Sequence, residues 1–146
     1  MYARLTQLTL RALDSLSMLL PSRHAGPQHL HTGRRGEEEV YFYLRRKGYV
    51  IIARNYRSPR SRSELDLVGW EGETLCFVEV KTRSARDRVP AEAAVDPEKQ
   101  GDLSRVARDF LRKIKGAPPC RFDVVSVYLA DGKAEIELFR DAFRMS

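Results

Sequence analysis

The sequence predicts an α/β fold, a mixed β-sheet flanked by helices, and three observations lead there. The run 74–82 is apolar on both strand faces, as expected of a strand buried mid-sheet. Two segments, 36–48 and 97–115, repeat apolar residues at helical spacing. Shorter β-branched or alternating runs fill the rest, in the order helix, three strands, helix, two strands.

Within 4–20, Leu5, Leu8, Ala12, Leu16 and Leu19 form an amphipathic stripe that Pro21 ends. Asp14, Ser15 and Ser17 interrupt the apolar core that a signal peptide needs, so this is read as an extra N-terminal helix that packs on the domain or a partner. Residues 22–35 shift to Ser, His, Gly, Pro, Gln and Arg, which reads as a mobile linker, with the folded domain starting near Gly33. The division expected is thus 1–20 helix, 21–32 linker and 33–146 domain. His24, His29 and His31 lie in the linker, where solvated histidines are the ordinary reading.

The first domain helix carries Val40, Tyr41 and Leu44, places Glu37 in its first turn and closes at Gly48, a residue suited to a left-handed cap. Strands follow over 49–53 and 64–69, separated by the turn-rich basic stretch Arg57-Ser58-Pro59-Arg60-Ser61-Arg62. After the central strand, Leu103, Val106, Phe110, Leu111 and Ile114 mark the second helix, and Gly116, Pro118 and Pro119 stop it. Strands over 121–129 and 134–139 flank the turn Asp131-Gly132.

The length of 146 residues suits one domain, and no apolar run nears the roughly 20 residues that span a bilayer. The 26 basic residues outnumber the 20 acidic, giving +6 and a pI near 9.6. That balance favours a polyanionic partner, nucleic acid foremost, although basic surfaces also serve solubility or anionic lipid. With only Cys76 and Cys120, there is neither a disulfide framework nor a thiol metal spacing, and a cytoplasmic setting is the default expectation.

Charge inside apolar strands is the feature that invites chemistry. Glu79 and Lys81, two apart, project from one face of the central strand, and Asp66 interrupts Leu65-Asp66-Leu67-Val68. If the two strands pair through the turn around Glu71-Gly72, Asp66 and Glu79 meet over one site. Two carboxylates and a lysine are what phosphodiester hydrolysis with Mg²⁺ needs; the alternative is a buried Glu-Lys ion pair with Asp66 satisfied by backbone amides.

The motifs Gly36-Glu37, Gly48-Tyr49, Arg54-Asn55-Tyr56-Arg57, Glu64-Leu65-Asp66-Leu67-Val68, Phe77-Val78-Glu79-Val80-Lys81-Thr82-Arg83, Lys99-Gln100 and Arg121-Phe122-Asp123-Val124-Val125 occur in order between about Gly33 and Phe143. With twelve residues between Asp66 and Glu79-Val80-Lys81, the chain resembles the PD-(D/E)XK nucleases, and more closely the YraN-like family, which is similar in fold to archaeal Holliday-junction resolvases. The resemblance implies a restriction-endonuclease-like fold and a cation, Mg²⁺ or Mn²⁺, at Asp66, Glu79 and Val80. It implies Asp66, Glu79 and Lys81 as the reaction centre, with Glu37 and Gln100 assisting. Ser63 stands where the family usually has Gly, a departure that touches the turn and not the acids.

Asp123, in an otherwise apolar strand, is a further candidate to support the site from behind, and each of these three has a plainer reading: Glu37 as an N-terminal helix carboxylate on the dipole, Gln100 as a solvated amide, Asp123 as a buried carboxylate bonded to backbone or to Arg121. Arg57, Arg60, Arg62, Arg83, Arg86 and Arg88 flank the acids in sequence and are expected to grip phosphates. No base-reading motif is visible, so backbone or shape recognition is expected. Three functions compete: a metal-dependent endonuclease on branched or single-stranded DNA, a non-cleaving nucleic-acid-binding module, and an adaptor recruiting a partner through the N-terminal helix. A homodimer is a candidate assembly.

Overall fold

The computed structural model describes residues 28–83, 90 and 94–146, so the helix expected over 1–20 lies outside the described residues, as do Arg86 and Arg88. Five strands form one sheet in the order β1-β2-β3-β4-β5. They are β1 (Val50–Arg57), β2 (Glu64–Glu71), β3 (Thr74–Arg83), β4 (Cys120–Ala130) and β5 (Lys133–Phe143). Helix α1 (Gln28–Arg46) precedes β1, and α2 (Pro97–Leu111) joins β3 to β4. The β3–β4 pair is parallel and every other pair antiparallel. A parallel pair needs a long crossover, and α2 supplies it. The α/β architecture, the mixed sheet and the central place of β3 match what the apolar runs predict.

Among the described residues, α1 packs on one face of the sheet and α2 on the other. Val40, Tyr41 and Leu44 of α1 pack with Cys76, Val78, Val125 and Val127, while Leu103, Val106 and Ala107 of α2 pack with Leu75, Phe77, Phe122 and Val124. Neighbouring residues of β3 and β4 thus alternate between two apolar layers, which is why those strands read as continuous hydrophobic runs. Both cysteines are free, Cys76 buried and Cys120 exposed.

The helix boundaries follow from local chemistry. Gly48 (φ 94) ends α1: its N–H donates to Arg45 O at 3.0 Å and that of Tyr49 to Leu44 O at 3.0 Å, the paired bonds of a Schellman cap. At the other end, α1 begins at Gln28, so 28–32 is helical where a linker is predicted from the lack of apolar periodicity. Glu37 consequently sits well inside the helix rather than in its first turn, and the helix-dipole reading of that carboxylate does not apply. Helix α2 starts at Pro97 with Asp96 as its N-cap, whose Oδ1 accepts from Lys99 N at 2.9 Å. It ends at Leu111 rather than Lys115, and β5 runs on to Phe143 rather than stopping at Phe139.

Helix α1 lies tight against β3 at Gly36, where an added Cβ would stand 2.1 Å from Thr82 Oγ1 and 3.3 Å from Thr82 Cβ. Gly36→Ala is therefore expected to cost about 1–3 kcal/mol of stability through overpacking, read as a lower midpoint in urea with unchanged slope.

Candidate active site

The site lies where β2 and β3 part. Their ladder runs from Glu71↔Thr74 to Leu67↔Val78 and goes no further, although β2 stays paired with β1 as far as Arg57↔Glu64. Beyond the fork, Val80 N–H has lost its ladder carbonyl, and Asp66 Oδ2 accepts from it at 2.7 Å instead. Asp66 can do this because β1 and β2 roll over at its position. Arg54 and Leu67 face α1, whereas Tyr56 and Leu65 pack on the α2 side. Residues two apart in a regular strand share a face. The positions between them, Asn55 on β1 and Asp66 on β2, mark the reversal, and Asn55 has φ 49. A short polar residue tolerates that left-handed backbone best.

Glu79 and Lys81 share the α2 face of β3, as their spacing predicts. Lys81 Nζ lies 3.1 Å from Glu79 Oε1, and Lys99 Nζ, from the first turn of α2, lies 3.9 Å from the same oxygen. The side chain of Glu79 is 6% exposed, and its Oε2 is buried with no hydrogen-bond partner. An orphaned buried carboxylate oxygen is costly and calls for an explanation.

Burial, and after it the neighbouring Glu79 charge, push the Asp66 carboxyl up to about 7, against the lowering effect of the Val80 amide. Glu37 is raised as well, by burial first and then by Glu64, with Glu79 adding to it. The three acids named from sequence thus feel one another across the fork: Glu37 from α1, Asp66 from β2 and Glu79 from β3. Arg54, whose guanidinium lies 4.5 Å from the Tyr41 ring centroid, and Arg34 hold Glu37 back.

Among the described residues, no three carboxylate, imidazole or thiol side chains gather as a ready metal cage. The carboxylates at the fork are those of Asp66, bonded to the Val80 amide, and Glu79. This pair suits Mg²⁺, which keeps several waters and takes only one or two carboxylates. The orphaned Glu79 Oε2 is the oxygen such an ion would satisfy. The plainer sequence reading, a Glu-Lys ion pair with Asp66 on a backbone amide, is present too, and it leaves that oxygen unexplained.

The remaining residues named from sequence divide. Gln100 does not turn its amide to the acids; Nε2 donates to Val95 O at 2.8 Å, closing the turn that enters α2. Lys99 takes the position beside Glu79 instead. Its signal in sequence was a lysine in a first turn, where the dipole disfavours cations. Arg57 pairs with Glu64 at 2.6 Å and Arg60 lies 3.7 Å from Asp109, the carboxylate that also accepts from Ser58 Oγ and so ties the basic loop to α2. Arg62 is exposed. Arg83 follows Lys81 on the same face, and its Nε is buried without a partner. Asp123 faces away from Glu79, on the α1 side, and is bonded to Arg121, Tyr49 and the amide of Asp141.

A family model matches residues 36–127, the span holding Glu37, both strand acids, Lys81 and Lys99, and it describes the uncharacterised protein family UPF0102. A UPF0102 protein of Koribacter versatilis is 54% identical over 141 residues, 97% of this chain and 96% of its own length. The chain belongs to UPF0102. This is the YraN family of the sequence resemblance. Other members include UPF0102 proteins of Solibacter usitatus, 47% identical over 76% of this chain and 84% of their length, and Chlorobium limicola, 42% identical over 76% and 90%. The Koribacter relative also aligns with nearly all of the N-terminal segment, which the matched family span omits.

Proposed function

We propose that this UPF0102 protein is a metal-dependent endonuclease of restriction-endonuclease-like fold that hydrolyses phosphodiester bonds in DNA. The observation that carries the reading is the buried, unpartnered Oε2 of Glu79 beside an Asp66 carboxyl pushed up to about 7. Perturbed acids held in a strand fork at a cost in stability are typical of a site built for a cation. Bound there, Mg²⁺ or Mn²⁺ would supply an activated water and neutralise charge on the phosphate. Asp66, Glu79 and the Val80 carbonyl would hold the ion. Lys81, 3.1 Å from Glu79, is placed to orient the attacking water, and Lys99 to screen the developing negative charge. Glu37 borders the same fork and would order water on the α1 side.

The net charge of +6 and the exposed Arg57, Arg60 and Arg62 suit a phosphate backbone, without any base-reading element. Branched or single-stranded DNA in the cytoplasm fits such recognition, and a homodimer would provide two cuts. No described helix is long and apolar enough to cross a membrane. A second reading, a nucleic-acid-binding module that does not cut, draws on the existing Lys81–Glu79 pair, which already neutralises one carboxylate oxygen.

Cleavage of labelled single-stranded, duplex and four-way-junction DNA with Mg²⁺ or Mn²⁺ separates the two. The wild type is expected to cut, and Glu79→Ala to lose about 10²-fold or more of the rate while still binding DNA. Binding without cutting by the wild type under both metals would leave the non-cleaving module.

A further inference from the structure

Four buried side-chain atoms among the described residues have no hydrogen-bond partner: Tyr56 Oη, Glu79 Oε2, Arg83 Nε and Ser126 Oγ. Those of Glu79, Arg83 and Ser126 belong to one face of the β3–β4 pair. Ser126 is the register partner of Lys81 across the parallel β3–β4 ladder, and Arg83 pairs with Tyr128 one step on. Side chains of paired residues stand on one face, about 4.8 Å apart at the backbone. Val125 and Val127, on either side of Ser126, pack toward α1, so Ser126 points to the opposite face, the face of Glu79 and Lys81.

Ser126 is 1% exposed. A hydroxyl so buried and unpaired destabilises the fold, and alanine would fill the position without that cost. A residue kept against stability next to a proposed reaction centre is more simply explained by what it does in the loaded site. Lys81 supplies the need. Its ammonium rests on Glu79 Oε1, the carboxylate that a divalent cation would claim, and the cation would also repel it. A hydroxyl can accept from an ammonium with either lone pair.

We propose that Ser126 is a positioning residue for Lys81: its hydroxyl accepts the Lys81 ammonium when Glu79 turns to a cation, and so holds that ammonium beside the reacting phosphate. The proposal deepens the metal-site reading above and rests on it. The Lys81–Glu79 pair is the resting arrangement, and the Lys81–Ser126 pair the loaded one.

Two measurements on the full chain test this. In the first, trace acetylation of lysines by acetic anhydride is followed by mass spectrometry with and without Mg²⁺. Lys81 of the wild type is expected to stay protected when Mg²⁺ is added, whereas in Ser126→Ala it becomes severalfold more reactive with Mg²⁺ and unchanged without it. Equal Lys81 reactivity in both proteins in the presence of Mg²⁺ overturns the proposal whatever the cutting assay gives. In the second, Ser126→Ala is expected to hold or raise the melting temperature while kcat falls about tenfold to a hundredfold at unchanged KM, and Ser126→Thr, which keeps the hydroxyl, recovers part of the rate. A parallel fall of melting temperature and rate in Ser126→Ala would make the residue structural and overturn the proposal. A wild type that cuts nothing, but whose Lys81 stays protected with Mg²⁺ while that of Ser126→Ala becomes reactive, removes the nuclease reading and retains Ser126 as the acceptor for Lys81.

Discussion

Asp66→Asn is expected to abolish metal-dependent cutting and, in metal-free protein, to raise the melting temperature at pH 8. Asparagine keeps the shape of the side chain and an oxygen for the Val80 N–H, which Asp66 now accepts at 2.7 Å, so the strand fork stays closed by the same bond. What it removes is a carboxylate that burial and Glu79 disfavour. The Asp66 carboxyl titrates near 7 in the fold against 3.8 for the free side chain. The folded state therefore holds the extra proton between those values, and its share of stability is complete below about pH 4 and lost as pH rises through about 7. A displacement of this size corresponds to at most roughly 4 kcal/mol, and the asparagine variant escapes the loss. Melting curves of the two proteins should coincide at pH 4, separate by several degrees at pH 8, and approach again when Mg²⁺ takes over the charge in the wild type. A gap that does not change with pH would mean that the Asp66 carboxyl is not disfavoured by its place in the fork. In cutting assays the same proton competes with the metal, so the wild-type rate should fall as pH drops below about 7.

Much of the fold was legible because its signals are local or strictly periodic. The apolar residues on both faces of β3 read as a strand covered on both sides, and Gly48 could be placed as the end of α1 from its freedom at positive φ. The start of α1 was hidden because the residues after Gln28 show no apolar face. Glu79 and Lys81 were readable as a pair from their spacing on an apolar strand. The way Asp66 joins them was not, because it depends on a reversal of β1 and β2 at Asn55, a backbone event without a period. Lys99 and Ser126 reach the site through tertiary placement: one by the N-cap of α2, the other by parallel register with Lys81. A lysine in a first turn is a weak signal and a serine in an apolar strand weaker still, which is why the assembled sheet is needed to bring them forward.

The second large effect expected is on stability, and it belongs to the opposite face of the sheet. Asp123→Ala should destabilise the protein by about 3–5 kcal/mol, seen as a fall in the urea midpoint. Asp123 is fully buried and gathers Arg121 Nε at 2.8 Å, Tyr49 Oη at 3.1 Å and the Asp141 amide at 3.0 Å. Burial and the Asp123 charge raise the Tyr49 phenol, which keeps it a donor to that carboxylate. Arg121 also reaches Glu71, whose carboxyl Arg140 and Arg121 together draw down to about 2. Removing Asp123 leaves Arg121 held by Glu71 and Tyr49 alone, and leaves its Nε, the phenol and the Asp141 amide without their buried acceptor; those unmet donors set the size of the loss. Asp123→Asn, which keeps the acceptor oxygen for Tyr49 and Asp141, should cost less than alanine, the difference measuring the packing and hydrogen bonds apart from the charge. Because Asp123 projects toward α1 while Glu79 and Lys81 project toward α2, DNA cutting by the folded variant at low temperature should match the wild type. A variant that kept its urea midpoint and lost its cutting would instead make Asp123 part of the reaction centre, and the division of the sheet into a structural face and a reactive one would fall with it.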